Sequence, residues 1–335
     1  MRLKTPSFWY DEKSPVGRAA SFLLGPASAL YALGQKIHQA AGKPELSEIP
    51  VICIGNLVAG GSGKTPVALA VMEILKKDPA FRNPVFLTRG YGGKSGGPLK
   101  VDPAKHTAAD VGDEPLLLAR AAPVIAARDR KAGTAAAKNM DADIVVMDDG
   151  LQNPFVTKTL SLVVIDGASG FGNTRLLPAG PLREPLQNGL SRADAFVIVG
   201  PDGQNAIAIL PEGPPVFWAS LIATANEKPD RTARCVAFAV IGRPEKFRKT
   251  LVENGFSVAS WHPFADHHPY TERELKSLAQ TAKQMNAHLI TTEKDYVRLP
   301  ASFIKENKVE TLPVRLMWED GAAVARFLKE RLNRS

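Results

Sequence analysis

The chain has 335 residues, 44% of them hydrophobic, with a formal net charge of +8. That is enough length and apolar content for two domains or one large one with a sizeable core. Two cysteines, Cys53 and Cys235, argue against a disulfide framework and for a reducing compartment, and the lack of a CxxC or Cys/His cluster argues against structural zinc. The positive balance points to an anionic partner, such as nucleic acid, acidic lipid or a phosphorylated substrate. Nucleic acid gains no support, because there is no helix-turn-helix spacing, aromatic-basic ribonucleoprotein motif or zinc finger.

Ser14-Pro15 has the form of a helix start, with Ser at the cap and Pro at the first helical position. From Ala19 to Gln35 no residue is charged; Arg18 and Lys36 bracket the stretch, and Phe8, Trp9 and Tyr10 precede it. A spanning helix needs about 20 strongly apolar residues, and this stretch is shorter and interrupted by Gly25, Pro26, Ser28 and Gly34. A signal peptide would carry basic residues directly before its apolar core, where Phe8–Glu12 is aromatic and acidic instead. A helix lying in the membrane interface fits aromatic and basic anchors around an oily body; the plainer alternative is a helix packed on the protein's own core. Pro26 should kink it in either case.

Residues 51–70, VICIGNLVAGGSGKTPVALA, run from a buried apolar strand through a glycine-rich turn into a helix. This is the order of a phosphate-cradling loop. Gly60, Gly61, Ser62 and Gly63 would bring backbone N–H groups onto phosphate oxygens, Lys64 would reach the β/γ-phosphates, and the Thr65 hydroxyl would hold Mg²⁺. The standard spacing asks for glycine at position 58, where this chain has Val58.

Downstream, strand and helix patterns alternate. Strands are expected at Val85–Thr88, Val124–Ala126, Ile144–Met147, Leu162–Ile165 and Ala195–Val199, with helices at Pro115–Ala122 and Arg130–Asn139. The pattern predicts a parallel sheet covered by helices on both faces, with ligands at the carboxyl ends of its strands. Turn-rich stretches near Pro201–Gly203 and Glu227–Arg231 suggest a linker zone. After it, Val236–Ile241, Pro244–Asn254 and His288–Thr291 suggest a smaller α/β lobe. The expected organisation is an N-terminal interfacial helix at 1–48, a P-loop core at 49–225, and a lobe at 226–335 that closes over the nucleotide.

Asp148-Asp149 ends the strand Ile144–Met147, where a P-loop protein needs a carboxylate for Mg²⁺. Adjacent residues of a strand point apart, so one should serve the metal and the other the loop or substrate. Asp113-Glu114 opens a helix, as an acidic helix start or as a base or metal ligand facing the cleft; a kinase needs a carboxylate to deprotonate its acceptor hydroxyl. His262, His267 and His268 with Asp266 lack the geometry of a transition-metal motif and suit acid–base support or a surface role better. Arg89, Arg128, Arg130 and Arg183 fall at strand ends or in glycine/proline loops, where guanidinium forks suit phosphate.

In order along the chain, Gly60-Gly61-Ser62-Gly63-Lys64-Thr65-Pro66, Thr88-Arg89-Gly90-Tyr91-Gly92, Gly112-Asp113-Glu114-Pro115, Asp148-Asp149-Gly150-Leu151-Gln152, Leu177–Pro185, Phe264–His268 and Thr291-Thr292-Glu293-Lys294-Asp295 resemble the tetraacyldisaccharide 4′-kinase family, the lipid A kinases of Gram-negative bacteria. The resemblance runs from the N-terminal helix to about residue 318. It implies ATP-dependent phosphorylation of the 4′-hydroxyl of an acylated glucosamine disaccharide 1-phosphate. The enzyme would be a monomer on the cytoplasmic face of the inner membrane, with no nucleic-acid partner. It further implies that Lys64 and Thr65 serve ATP and Mg²⁺, and that Asp113 is the general base, assisted by His267 with His268 its close rival. Glu114, Asp148 and Asp149 would surround Mg–ATP, and Arg89, Arg130, Arg183 and Glu184 would meet the substrate headgroup. Two other readings compete: a soluble P-loop kinase or nucleotide hydrolase with a small polar substrate, and a non-catalytic nucleotide-gated adaptor. A GTPase would be expected to carry Asn-Lys-x-Asp, which is absent.

Overall fold

The computed structural model describes residues 6–11, 14–224, 233–242, 244–265 and 268–333. Its strands are β1 (Val51–Gly55), β2 (Pro84–Thr88), β3 (Leu99–Lys100), β4 (Val124–Ala126), β5 (Ile144–Asp148), β6 (Leu160–Asp166), β7 (Ala195–Val199), β8 (Val216–Ala223), β9 (Arg234–Ala239), β10 (Ser257–Pro263), β11 (His288–Thr291), β12 (Glu310–Thr311) and β13 (Val314–Trp318). They form a nine-stranded sheet, ordered β13-β8-β7-β6-β1-β5-β2-β4-β3, and a four-stranded sheet, ordered β10-β9-β11-β12. The large sheet is parallel except at its edges, where β13 meets β8 and β3 meets β4 antiparallel.

Alternation along the strands makes two core faces. Ile52 and Ile54 join Phe86 and Val146 on one side, under Val67, Val71 and Leu75 of the helix Lys64–Lys77. Val51 joins Leu87, Val145 and Met147 on the other, against Ala137 of the helix Arg130–Lys138. Because β1, β2, β5 and β7 are covered on both faces they read as unbroken apolar runs. The small sheet is built the same way: Phe247 and Leu251 of the helix Pro244–Glu253 cover Cys235, Ala237 and Ala239, while Leu275 and Leu278 of the helix Glu272–Gln284 cover Val236 and Phe238.

The chain returns to the large sheet before it ends. β13 pairs with β8 from Val314 opposite Ala223 to Trp318 opposite Ala219. The helix Gly321–Leu332 then places Val324, Leu328 and Leu332 in the large sheet's core. Part of the span expected to form the smaller lobe, 226–335, therefore folds with the P-loop sheet. β8 and β13 are only partly buried, so neither carries the apolar signature of an inner strand.

The N-terminal segment forms two helices, Pro15–Leu23 and Gly25–Ala41, separated at Leu24 just before Gly25-Pro26. Ser14 caps the first, its Oγ accepting from the Gly17 N–H at 3.3 Å. Their amphipathicity is inverted. Ser21 Oγ donates to the Ala179 carbonyl and Ser28 Oγ to that of Leu176, both at 2.9 Å; Tyr31 Oη reaches the Arg183 carbonyl at 3.0 Å and Gln39 Nε2 that of Gln152 at 3.1 Å. The stripe turned to the protein is thus polar, while Phe22, Leu23, Leu30, Leu33 and Ile37 are exposed, Phe22 at 76% and Leu30 at 73%. A soluble helix does the reverse. Among the described residues no helix is long and apolar enough to cross a membrane.

Candidate active site

The loop after β1 keeps a phosphate-cradle shape despite Val58. Instead of a flexible glycine, position 58 offers a buried side chain and an antiparallel bridge to Leu182, while Ala59 N–H donates to the Pro181 carbonyl at 2.7 Å and Asn56 Nδ2 to the Val58 carbonyl at 2.7 Å. The left-handed turn falls later, at Gly60 (φ 106°) and Gly63 (φ 90°), the latter capping the helix that begins at Lys64. Ser62 Oγ is buried with no hydrogen-bond partner among the described residues. A buried hydroxyl left unpaired costs about 1–3 kcal/mol, so its position at a helix N-terminus fits a loop waiting for an anion.

Lys64 Nζ lies 3.0 Å from Asn56 Oδ1 and 3.6 Å from Asp149 Oδ1. Burial lowers its pKa, and Asp149 opposes the shift. Thr65 Oγ1 donates to Asp148 Oδ2 at 3.1 Å, joining the helix start to the end of β5. Asp149 has φ 56°, which turns it out of the strand line to meet Arg183 Nη1 at 2.8 Å. The two neighbours consequently titrate in opposite directions. Burial, reinforced by Glu114, pushes Asp148 up to about 7. Burial would also raise Asp149, but Lys64 and Arg183 outweigh it and hold that carboxyl well below the usual range.

The second acidic pair begins the helix Asp113–Leu118. Gly112 precedes it at φ 91°, and a Cβ there would fall 2.5 Å from the Tyr91 carbonyl oxygen, so glycine is what lets the two loops touch. Glu114 lines the cleft and lies 3.2 Å from Lys294 Nζ of the small lobe; Asp113 is buried behind it, 3.7 Å from Lys294 Nζ and 3.9 Å from Arg298 Nη1.

The cleft has a volume of about 1550 Å³. Its wall includes residues 60–65, Glu114, Asp149, Arg183 and Lys294, and it continues to Tyr31, Gln35 and His38 on the inner side of the helix Gly25–Ala41. Arg89 and Arg130 line it too. Arg130 is buried, its Nη1 donating to the Ala127 carbonyl at 2.5 Å and its Nε without a partner among the described residues, and burial lowers its pKa to about 10. Arg128 also lines the wall, with Nη2 on the Gly93 carbonyl at 3.1 Å.

Four expected site residues are absent from the cleft wall: Asp113 and Asp148 are buried beside it, and Glu184 and His268 are engaged elsewhere. Glu184 is buried, accepting from Gln152 Nε2 at 2.9 Å and gripped by Arg192 at 2.5 Å. It follows Arg183 in a bend, where Arg183 reaches Asp149 while Glu184 turns inward. His268 is committed to Glu274 through Nε2 at 2.9 Å and stacks on Phe264 at 5.4 Å. His267 lies outside the described residues.

The donor set fits Mg²⁺ with ATP. Among the described residues no group of three or more His, Cys, Asp or Glu is arranged to hold a metal alone, and Mg²⁺ bound to nucleotide usually takes one or two carboxylates plus phosphates and water. Asp148 supplies a buried oxygen, Oδ1, with no hydrogen-bond partner among the described residues, beside the Thr65 hydroxyl.

Sequence reasoning missed two cations from the small lobe. Lys246 pairs with Asp166, buried at the carboxyl end of β6. Arg298 pairs with Asp113 and Asp295. The available signals were Asp166 closing an apolar strand and the i,i+3 spacing of Asp295 and Arg298.

Comparison with known proteins gives a consistent set of relatives. The family model LpxK, Tetraacyldisaccharide-1-P 4′-kinase, matches residues 20–333. The tetraacyldisaccharide 4′-kinase of Rhodospirillum centenum is 45% identical over 332 residues, 99% of this chain and 97% of that protein. That of Methylobacterium radiotolerans is 46% identical over 335 residues, 98% and 99% of the two chains. The crystal structure of "apo" form LpxK from Aquifex aeolicus in complex with ATP superposes with a TM-score of 0.75 at 27% identity, covering 93% of this chain and 99% of that one.

Proposed function

The chain belongs to the tetraacyldisaccharide-1-P 4′-kinase family, and on that premise we propose that it transfers the γ-phosphoryl group of ATP to the 4′-hydroxyl of a tetraacylated glucosamine disaccharide 1-phosphate. One observation carries the reading: a single cleft runs from the phosphate loop to Tyr31, Gln35 and His38, on the inner side of a helix whose outer residues are oily and exposed. A lipid whose acyl chains stay in the bilayer could present its sugar there. The N-terminal helices lie in the membrane interface, on the side where ATP is available, the cytoplasmic face of the inner membrane.

Residues 60–65 hold the phosphates through backbone N–H groups, with Ser62 Oγ closing on one oxygen and Lys64 leaving Asn56 for the β/γ-phosphates. Thr65 and Asp148 would hold Mg²⁺, with support from Glu114, and the ion would supply neutralisation of phosphate charge. Arg183 and Asp149 keep each other ordered at the transfer point, and Arg89 and Arg130 present cations to the headgroup. Asp113 accepts the 4′-hydroxyl proton as the sugar oxygen bonds to Pγ; the bond from Pγ to its bridging oxygen breaks, and ADP leaves with the electron pair. Lys294 must move from Asp113 and Glu114 toward the phosphates for this, a shift that closure of the small lobe over ATP can supply.

Purified protein with ATP, Mg²⁺ and the acylated disaccharide 1-phosphate should give a 4′-phosphorylated product. Absence of transfer above a protein-free blank, with nucleotide demonstrably bound, would sink the proposal.

A further inference from the structure

The segment Thr291–Asp295 carries a distinctive pattern that the transfer mechanism leaves mostly unused. Its role in the fold is plain. Thr291 Oγ1 donates to the Phe238 carbonyl at 2.7 Å, and Asp295 Oδ2 accepts from Val240 N–H at 2.9 Å and Thr292 Oγ1 at 2.8 Å. Asp295 itself is fully buried. The short helix Glu293–Tyr296 is therefore pinned to the carboxyl ends of β9 and β11, and the chain reaches Arg298 within one further turn.

Arg298 connects three places. Its Nη2 donates to the His268 carbonyl at 3.1 Å, in the loop that follows β10. Its Nη1 sits 3.8 Å from Asp295 Oδ1 and 3.9 Å from Asp113 Oδ2, in the large lobe. The side chain is 12% exposed, and Nη1 closes no hydrogen bond among the described residues. Lys294 also reaches Asp113, but it faces the cleft, where ligand must displace it; Arg298 does not line the cleft. A buried guanidinium between two carboxylates, bonded firmly to neither, can lean toward one as the other loses its charge. A planar fork with several fixed donors suits this task, whereas a lysine ammonium is a single point charge.

We propose that Arg298 is the positioning residue of the transfer step: from outside the cleft lining it holds the carboxylate of Asp113 in place through Oδ2, the oxygen that Lys294 also reaches, and ties it to the histidine-bearing loop, so that the base is aimed only when the small lobe is docked. The inference rests on Asp113 being the base. As Asp113 takes the hydroxyl proton its negative charge is neutralised, and Arg298 keeps Asp295 as its remaining ionic partner. No bond to Arg298 forms or breaks. Arg298 touches neither nucleotide nor acceptor, so its removal should change turnover and leave nucleotide affinity alone.

The test is a double-mutant cycle on the full-length protein with saturating lipid acceptor, monitored with γ-labelled ATP. Asp113→Asn should lower kcat by roughly 10³-fold, within the range that a general base contributes. Arg298→Gln should lower kcat about 30-fold with KM for ATP within about twofold, and Asp113→Asn/Arg298→Gln should be no more than about threefold slower than Asp113→Asn alone, because residues acting as a unit are not additive. Arg298→Lys should recover part of the loss. A double variant slowed by the full product of the two single effects would overturn the inference while leaving the base assignment intact. If Asp113→Asn turned over like the parent, the base assignment itself would fall. Should thermal unfolding show Arg298→Gln to be unfolded, Arg298→Lys carries the test: a kcat within twofold of the parent, or a KM for ATP raised with kcat unchanged, would overturn it.

Discussion

The inverted N-terminal helices make a quantitative prediction about membrane attachment. Complete burial of a Phe or Leu side chain is worth about 1.5–3 kcal/mol. Phe22 and Leu30 are 76% and 73% exposed, so each has roughly 1–2 kcal/mol still to gain from an apolar phase. Replacing both by Asp forfeits that gain and adds two negative charges at a surface where each juxtamembrane charge counts for about 1 kcal/mol. Even with half-depth immersion the Phe22→Asp/Leu30→Asp variant should lose about 3 kcal/mol of partitioning, or about a hundredfold in apparent affinity. Co-sedimentation with phosphatidylethanolamine vesicles containing phosphatidylglycerol, over a range of lipid concentrations, measures this directly. The melting temperature should stay within about 2 °C, since surface changes are usually within ±0.5 kcal/mol. Turnover with detergent-dispersed acceptor should also hold. Partitioning within threefold of the parent, or a collapse in melting temperature, would show that the oily face is packed on protein and refute the reasoning. The inner stripe gives the opposite result: Ser28 Oγ bonds both the Leu176 carbonyl and Ala179 N–H, so Ser28→Ala should cost about 1–2 kcal/mol of stability and leave vesicle binding by the undenatured protein unchanged.

Other predictions concern the nucleotide end of the cleft. Ser62→Ala removes a buried hydroxyl that has no partner among the described residues; the ATP-free protein should be as stable as the parent or slightly more so, while Kd for ATP rises about 5–10-fold, and a calorimetric titration that finds affinity unchanged would contradict the phosphate role. Asp148 has its pKa raised to about 7, so it is mainly protonated below that pH and must shed the proton to ligate Mg²⁺. Binding of Mg–ATP should release more protons at pH 6.5 than at pH 8 from this group. Titrations in buffers of different ionisation enthalpy measure the release, and Asp148→Asn should abolish its pH dependence. For folding the sign is the same in origin: a carboxyl raised from 3.8 to about 7 contributes stability that is fully present below pH 3.8 and lost as pH rises through 7. Asp148→Asn should therefore raise the melting temperature at pH 8 more than at pH 5, and an equal shift at both would refute the assignment.

The inner strands and the phosphate loop were legible because burial on both faces leaves continuous apolar runs, as in β1 and β5, and because a glycine turn before Lys64 has few other uses. Val58 stands out in the sequence only as a departure from the standard spacing; its bridge to Leu182 depends on a segment more than a hundred residues away, which no local pattern encodes. The same limit hid β13, whose partner β8 is remote and whose side chains are half exposed. At the site, the divergence of Asp148 and Asp149 follows from strand geometry, but the positive φ that aims Asp149 at Arg183 does not. Glu184 was a headgroup candidate only through the family resemblance; the fold shows Arg192 and Gln152 waiting behind it. Arg298 could not be found from spacing alone, because two of its three partners, Asp113 and His268, come from distant segments.

The pairing of Ala223 with Val314, continued by Thr224 N–H on the Pro313 carbonyl at 3.2 Å, brings the exit from the large sheet and the return to it side by side. In topological terms β8 and β13 form a hairpin, and the whole second lobe is its loop. Trimming the chain from its C-terminal end would not remove that lobe; it would first strip Val324, Leu328 and Leu332 from the core beneath the phosphate-loop sheet. An internal deletion that rejoins the two strands with a short turn would leave that core whole. The nucleotide platform and the lobe that supplies Lys294 and Arg298 are thus separable by excision and inseparable by truncation.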